Sequence, residues 1–333
     1  MNTSQSTTNQ PLTVAYSPEY LNWQLGAGDG THPTNPARAE ISTHHLIDEL
    51  GDSVNVIDPA QADLTLVRKA IESVHDRDYV NSVLDDGQSS EWDFQSVAMG
   101  RTAAVMFAGT QVLVNGMLAG DVQVGFNPQG AKHHAQFDRG TGFCVFNDMA
   151  WAAREFAANG MRPIYVDWDI HAGDGVQHML ADTAIPTLSV HNHSTYPYDD
   201  KTVNRELARA DKNHTAHDEA HAIYNWGVNP GSPDDAFTWA LNGMEAVIDA
   251  YQPDVILLAA GADGHGGGSN LGTLANYSYD GFEQAAQMVA RMANRFTQGR
   301  VLIGGAGGYQ PFDHTPRIWA NVVSRIWLDT QPV

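Results

Sequence analysis

The chain has 333 residues, of which 42% are apolar, so it can bury a large core as one α/β domain or two smaller ones. Its formal net charge of −21 excludes a broadly basic surface, so we predict neither nucleic acid nor anionic lipid as a partner. The same charge would attract small polycations. An acidic surface that is poor in lysine is equally typical of adaptation to salt, which we favour.

The N-terminal composition and the cysteine count predict a cytoplasmic protein. Residues 1–13 are polar, without a basic start or an apolar core, so we expect a frayed tail rather than a signal peptide. We find no apolar run of the roughly 18 residues that a membrane span requires, and we expect no membrane partner. The single cysteine, Cys144, excludes an internal disulfide and a cysteine-cluster metal site.

Short apolar runs alternate with helical patterns along most of the chain. The predicted strands are 54–57, 122–126, 163–167, 186–190, 254–260 and 300–305. The predicted helices are 39–50, 96–118, 146–160, 233–251 and 280–296. Near-continuous apolar strands separated by helices indicate a mainly parallel sheet that is covered on both faces. We therefore predict one α/β domain over residues 14–333, with the polar stretch 199–222 as a surface excursion.

Polar and glycine-rich loops follow four of the predicted strands. In an open parallel sheet, ligands bind just beyond the carboxyl ends of the strands. We therefore expect these loops to open onto one edge of the sheet. They contain the segments KHHA and GTGFC after strand 122–126, DWDIH at the end of strand 163–167, GADGH after strand 254–260, and GGAGGY at the end of strand 300–305.

Two aspartates and a histidine in these loops predict a catalytic metal site. Asp169 and His171 lie on the same side of an extended segment, because side-chain direction alternates along it. Asp263, from a later strand end, would be the third ligand, and the remaining coordination positions stay open for water and substrate. This nitrogen and oxygen ligand set suits Zn²⁺, and also Fe²⁺, Co²⁺ or Mn²⁺. The cation would also offset repulsion from the nearby Asp167 and Asp174.

An adjacent pair of histidines, His133 and His134, predicts acid–base chemistry. Asp167 and Asp174 offer each ring a carboxylate partner that would fix its tautomer. The free ring nitrogen could then take a proton from metal-bound water, whose pKa is lowered to about 7. Tyr309 follows five small residues and is predicted to donate its hydroxyl to a developing oxyanion.

Together, these motifs resemble those of the zinc-dependent histone deacetylase superfamily, which includes acetylpolyamine amidohydrolases and acetoin-utilisation proteins. The resemblance extends over most of the chain. It implies an arginase-like three-layer α/β/α fold and hydrolysis of acetamides by metal-bound water. The motifs that carry it are KHHA…GTGFCVFND, YVDWDIHAGDG, GAD after an apolar strand, and GGAGGY.

The resemblance implies the same three metal ligands and divides the catalytic work between the two histidines. By position, Asp167 would support His133 and Asp174 would support His134. His134 would then be the general base, and His133 an electrostatic helper or an acid. Tyr309 is similar to the transition-state tyrosine of the family.

The resemblance also implies residues that contact substrate and potassium. Gly142 and Phe143 would line an acyl-lysine tunnel opposite Tyr196, with Leu271 near the mouth. Arg38 falls where the family has an internal arginine behind the site. The implied potassium shell consists of Asp167, Asp169, His171 and Ser189.

The sequence thus predicts a metal-dependent amidohydrolase that removes an acetyl or other short acyl group from N-acetyl-lysine or a related amine. The substrate would be a small molecule or a peptide, and a homo-oligomer is one option for the assembly. One alternative is a binuclear manganese ureohydrolase, which would need further aspartates to bridge a second metal. The other is a non-catalytic acetyl-group or metal sensor, against which the presence of Tyr309 and both histidines argues.

Overall fold

The computed structural model describes residues 10–25, 32–197, 215–267 and 272–331. In these ranges the strands form one sheet. They are β1 (Leu12–Ala15), β2 (Val54–Ile57), β3 (Val124–Asn127), β4 (Pro163–Asp167), β5 (Thr187–Asn192), β6 (Thr215–Asp218), β7 (Ile223–Val228), β8 (Val255–Ala259) and β9 (Val301–Gly304). Their order is β2-β1-β3-β9-β8-β4-β5-β7-β6, and every described pair is parallel except β6 with β7.

Helices cover the sheet on both faces. They are α1 (Ala37–Leu50), α2 (Leu64–Glu72), α3 (Arg77–Leu84), α4 (Val97–Ala119), α5 (Asp148–Ala158), α6 (Asp174–Leu180), α7 (Asp234–Tyr251), α8 (Tyr279–Met292) and α9 (His314–Thr330). Along β8, Leu257 and Ala259 join a core formed with α2 to α6. Ile256 and Leu258 join a second core formed with α1 and α7 to α9. Because side chains alternate along a strand, the two cores lie on opposite faces, and the fold is a three-layer α/β/α arrangement.

The predicted strands and helices all form close to their predicted positions. The first strand begins at Leu12, which lies within the segment expected to be a frayed tail. Leu12 is fully buried because β1 pairs with β2 on one side and with β3 on the other. Strand β6 forms inside the stretch 199–222 that was predicted as a surface excursion, and it pairs with β7 at the edge of the sheet.

Helix α4 corrects one expectation drawn from the sequence. By length and composition it is apolar enough to cross a membrane. The expectation that no segment meets this criterion is therefore wrong. In the structure the helix is mostly buried, and it packs in the core with α2, α3 and α5. Its apolar character is explained by this burial.

The strand ends that carry the motifs lie side by side at one edge of the sheet. Asp167 pairs with Ala259, Ala259 pairs with Gly304, and Gly304 pairs with Asn127. Each of these four residues is the last residue of its strand, in the adjacent strands β4, β8, β9 and β3. The loops that follow therefore begin at the same level. The predicted convergence of the four loops is therefore confirmed.

Candidate active site

Asp169, His171 and Asp263 meet beyond the carboxyl ends of β4 and β8. Their ligand atoms all lie within 4.8 Å of one another, and all three residues are buried. The Nδ1 atom of His171 lies 3.1 Å from Oδ1 of Asp169 and 2.9 Å from Oδ2 of Asp263. Among the described residues, this is the one group of three or more acidic, histidine or cysteine side chains suited to a metal ion.

Backbone groups hold the two carboxylates in place. Asp169 accepts hydrogen bonds from the backbone N–H of His171 (2.9 Å) and of Gly307 (2.6 Å). Asp263 accepts one from the backbone N–H of Ile170 (3.1 Å). A Cβ atom at Gly307 would overlap both carboxylates, so only glycine lets the loop after β9 approach this closely. The resulting set of two carboxylates and one imidazole in a buried pocket fits a divalent ion.

The three side chains are strongly coupled electrostatically. Burial raises the pKa of Asp263 to about 6, and the charge of Asp169 adds to this effect. Burial would also raise the pKa of Asp169, but the positive charges of His133 and His171 outweigh it and hold the pKa below its usual value. Burial opposes protonation of His171, yet its hydrogen bonds to both carboxylates raise its pKa to about 10. A metal bound among these atoms would replace that proton, so binding should release protons.

The paired histidines each contact one aspartate. The Nδ1 atom of His133 lies 2.8 Å from Oδ2 of Asp167, and Nδ1 of His134 lies 2.7 Å from Oδ1 of Asp174. The centroids of the two imidazole rings are 4.0 Å apart. Asp167 also accepts a hydrogen bond from the hydroxyl of Tyr165 at 2.7 Å. The structure therefore brings together both pairs that the sequence predicts.

The pKa values of the two histidines shift in opposite directions. Burial would lower the pKa of His133, but the charges of Asp167 and Asp169 outweigh it and raise the pKa to about 9. Burial lowers the pKa of His134 well below its usual value, and the charges of His133 and His171 lower it further. At neutral pH one ring therefore carries a proton on both nitrogens while its neighbour is neutral.

Aromatic side chains and a tight loop form the approach to this centre. Gly142 and Phe143 both have positive φ angles, 59° and 65°. A Cβ atom at Gly142 would overlap His134 and contact Tyr196 too closely, so the position requires glycine. The ring of Tyr196 meets that of His134 edge-on at 4.8 Å, and its hydroxyl lies 2.5 Å from Oγ1 of Thr141. The structure thus places Gly142, Phe143 and Tyr196 beside the paired histidines.

Tyr309 and Arg38 are buried and line one cavity together with the paired histidines. Tyr309 is buried, and its ring centroid is 6.2 Å from that of His171 and 6.4 Å from that of Phe143. Burial raises its pKa well above the usual value, so the phenol keeps its proton. Buried Arg38 donates a hydrogen bond from Nη1 to the carbonyl oxygen of Gly308 at 2.6 Å, next to Tyr309.

Two further predictions concern the mouth of the site and a potassium shell. Leu271, predicted near the mouth, lies outside the described residues. Ser189 pairs with Asp167 across β4 and β5, and its Oγ atom lies 2.9 Å from Nδ1 of His191. The potassium shell of Asp167, Asp169, His171 and Ser189 stays a prediction.

Sequence reasoning missed three residues that contact the site. The Oε2 atom of Glu91 accepts a hydrogen bond from the backbone N–H of Phe143 at 2.5 Å, and burial raises the pKa of Glu91 to about 7. The side-chain amide of Gln136 donates to Asp174 at 2.8 Å. Lys132 lines the same cavity as the paired histidines and Tyr309. Lys132 carried a usable signal, because it is a rare lysine placed directly before the paired histidines.

Comparison with known proteins decides the family. The sequence model of the histone deacetylase domain matches residues 32–326, which include every site residue described above. The chain belongs to this family. It is 27% identical to the acetoin utilization protein AcuC of Staphylococcus aureus (strain Mu50), over 91% of this chain and 78% of that protein. It is 25% identical to AcuC of Bacillus subtilis (strain 168), over 96% of this chain and 81% of that protein.

A solved structure supports the fold of this histone deacetylase-like chain. The crystal structure of the HDA15 HD domain superposes with a TM-score of 0.76, covering 96% of this chain and 89% of that one. The two sequences are 20% identical, so this likeness concerns the fold alone. Fold and family together make the chain a member of a group of hydrolytic deacetylases.

Proposed function

We propose that the chain is a metal-dependent amidohydrolase that removes an acetyl or other short acyl group from N-acetyl-lysine or a related acylated amine. One observation carries the proposal. The three candidate metal ligands lie beside two histidine–aspartate pairs, with Tyr309 next to His171 in the same site. An electrophile, a base and an oxyanion donor together promote hydrolysis of an unactivated amide.

A divalent ion held by Asp169, His171 and Asp263 would polarise the amide carbonyl and lower the pKa of a water molecule. His134 suits the role of base because burial keeps it neutral and Asp174 engages its Nδ1 atom. Its Nε2 atom is then left to take a proton from the attacking water. His133, with a pKa of about 9, supplies a positive charge beside it.

Tyr309 is proposed to stabilise the negative charge that develops on the carbonyl oxygen. Its buried phenol keeps its proton, as a hydrogen-bond donor must. Arg38 has a positioning role, because its hydrogen bond to the carbonyl oxygen of Gly308 fixes the backbone immediately before Tyr309. When the carbon–nitrogen bond breaks, the leaving amine needs a proton, which protonated His134 can return.

The approach to the site favours a slender acylated side chain. Phe143 and Tyr196 supply aromatic walls, and Gly142 lets the loop pack directly against both Tyr196 and His134. An unbranched alkyl chain such as that of lysine or a polyamine fits between such surfaces. The charge of −21 is compatible with a cationic substrate but does not distinguish a peptide from a small amine.

The test is a screen of the purified protein with an acetyl-lysine peptide, acetylputrescine and longer acyl amides. We expect hydrolysis of at least one of them, with loss of activity after chelation and recovery with zinc or cobalt. Binding of acetyl-lysine without turnover would instead support the sensor alternative. Two catalytic metal ions per chain would support the ureohydrolase alternative.

A further inference from the structure

We propose that the acyl pocket accepts an acyl group ending in a carboxylate, of which malonyl is the shortest, and that Lys132 binds this carboxylate. The inference rests on the proposed amidohydrolase function and names a substrate class for the same site. It concerns the part of the acyl group that lies beyond the reacting carbonyl.

The argument begins with one cavity that joins catalytic and cationic side chains. Its lining includes His134 and Tyr309, which are proposed to act on the water and on the carbonyl oxygen. The same cavity is lined by Lys132 and Arg38. An acyl group whose carbonyl lies beside Tyr309 would therefore border this small cavity, whose wall includes two positively charged side chains.

Neither cation is neutralised by a direct ion pair with a carboxylate among the described residues. The Nζ atom of Lys132 lies 3.3 Å from the side-chain oxygen of Gln129 and 5.8 Å from the centroid of the Trp23 ring. Arg38 donates to a backbone carbonyl, and its guanidinium lies 5.1 Å from the centroid of the Trp319 ring. These partners are all uncharged, so both cations retain the capacity to bind an anion.

The buried carboxylate of Asp148, whose charge acts on Lys132, binds other groups. Asp148 accepts hydrogen bonds from the backbone N–H groups of Ala131 and Lys132, at 3.0 and 2.8 Å, and from the hydroxyl of Thr110 at 2.5 Å. It therefore holds the loop backbone rather than the ammonium group of Lys132. Burial lowers the pKa of Lys132 to about 8, and the charge of Arg38 adds to this effect. An anion between two cations in such surroundings would relieve their repulsion and be bound strongly.

The size of the cavity selects among anionic acyl groups. Its volume of about 20 Å³ is close to that of a single water site. A long alkyl chain does not fit there. Among carboxyacyl groups, malonyl adds the fewest atoms beyond the reacting carbonyl, so it would require the smallest displacement of side chains such as the long and flexible Lys132. Hydrolysis of such an amide needs no further reactant. The water oxygen bonds to the carbonyl carbon, the carbon–nitrogen bond breaks, the amine takes a proton, and malonate is released.

The experiment compares kcat/KM for three peptides that differ only in the acyl group on one lysine, namely acetyl, butyryl and malonyl. Butyryl is the neutral control because it resembles malonyl in length. We expect the parent protein to prefer malonyl over butyryl by about tenfold or more, as one hydrogen bond to a charged group provides. Lys132→Met should lower the malonyl-to-butyryl ratio by about 10- to 100-fold, and Lys132→Arg should largely preserve it.

Each outcome decides between the inference and the function on which it rests. Hydrolysis of acetyl-lysine with a parent protein that prefers butyryl over malonyl overturns the inference and leaves the proposed function intact. If the protein hydrolyses none of the three peptides and neither acetylputrescine nor a longer acyl amide, the proposed function itself is overturned. If Lys132→Met leaves the malonyl-to-butyryl ratio of kcat/KM unchanged, Lys132 does not bind the carboxylate of the acyl group. If Lys132→Met fails to fold, as judged by circular dichroism, Lys132→Gln provides the same comparison. The preference of the parent protein for malonyl over butyryl tests the inference even without a variant.

Discussion

His134 and Asp174 are joined by a hydrogen bond of 2.7 Å between Nδ1 and Oδ1. The other oxygen of Asp174 accepts a hydrogen bond from Gln136 at 2.8 Å, and the same amide nitrogen lies 3.0 Å from the carbonyl oxygen of His134. Gln136 in turn accepts a hydrogen bond from Nδ1 of His178 at 2.9 Å. This chain of contacts fixes the orientation of the carboxylate and therefore the ring nitrogen that His134 presents to substrate.

Replacement of Gln136 tests this arrangement. Gln136→Met removes the amide while retaining side-chain length, so Asp174 loses one donor and can rotate away from His134. We expect kcat to fall about tenfold, because a hydrogen bond to a charged group contributes about 1.5 kcal/mol, with little change in KM. The acidic limb of the pH–kcat profile should shift as well. Gln111→Met on α4 is the matched control, and a parental kcat and pH profile for Gln136→Met would contradict the assignment.

Tyr309→Phe removes only the proposed oxyanion donor. Folding and metal content should be preserved, because the ring that packs near His171 and Phe143 remains. We expect kcat to fall by about 10²–10³, as for the loss of one oxyanion-hole donor, with KM nearly unchanged. Tyr251→Phe, at the end of α7, is the control. A rate within about threefold of the parent would make Tyr309 a packing residue and favour the sensor alternative.

Asp263→Asn tests the metal site through metal content as well as activity. Asparagine retains the shape but replaces the carboxylate that lies beside Nδ1 of His171. We expect the parent protein to bind one catalytic divalent ion per chain, and the variant to lose metal affinity and turnover together. Elemental analysis after dialysis provides the measurement, with exposed Asp235→Asn as the control. Unchanged metal content in the variant would remove Asp263 from the ligand set.

Salt dependence tests what the acidic surface does. Exposed charges are screened beyond about 10 Å at 0.1 M salt, so electrostatic capture of a cationic substrate would weaken as salt rises. A surface adapted to salt would keep its activity and stability or gain from added salt. We expect the second outcome, because the charge of −21 is combined with few lysines. A steep fall in kcat/KM for acetylpolyamines, with none for a neutral acetamide, would contradict it.

The sequence predicts those parts of the site that follow directly after the ends of strands. Asp169 and Asp263 follow apolar strands, and parallel strands place their carboxyl ends at one edge of the sheet whatever the sequence distance between them. The motif around Asp169 also supplied Asp167 and Asp174 as partners for the paired histidines, and the family resemblance implied which aspartate supports which histidine. These relations depend on local pattern and on a general property of parallel sheets, so no coordinates were needed to anticipate them.

Other parts of the structure depend on tertiary contacts that no local pattern encodes. Glu91 contacts Phe143 from a loop 52 residues earlier in the chain. The sequence around Glu91 has no motif that would indicate a site. Strand β1 has only four residues, and its burial is due to partners on both sides. The composition of α4 alone is that of a membrane span, and only the surrounding structure shows that the helix is buried in the protein core.

Protonation of His75 should destabilise the protein in mild acid. His75 is buried, its Nε2 atom accepts a hydrogen bond from the backbone N–H of Asn147 at 2.8 Å, and its Nδ1 atom lies 3.3 Å from the carbonyl oxygen of Phe137. Burial lowers its pKa from 6.5 to about 4. The unfolded chain therefore binds more protons than the folded one between these values, so stability is full above pH 6.5 and falls as the pH drops towards 4.

Chemical denaturation at pH 7 and pH 5 measures this effect. For a pKa of 6.5 in the unfolded chain and about 4 in the folded one, His75 should account for a loss of about 2 kcal/mol between these two conditions. His75→Gln should be less stable at pH 7, because the hydrogen bond to Asn147 is weakened, but its stability should fall less on acidification. Exposed His44→Gln should retain the parental pH dependence. If the two variants lost equal stability between pH 7 and pH 5, the acid sensitivity would have to come from groups other than His75.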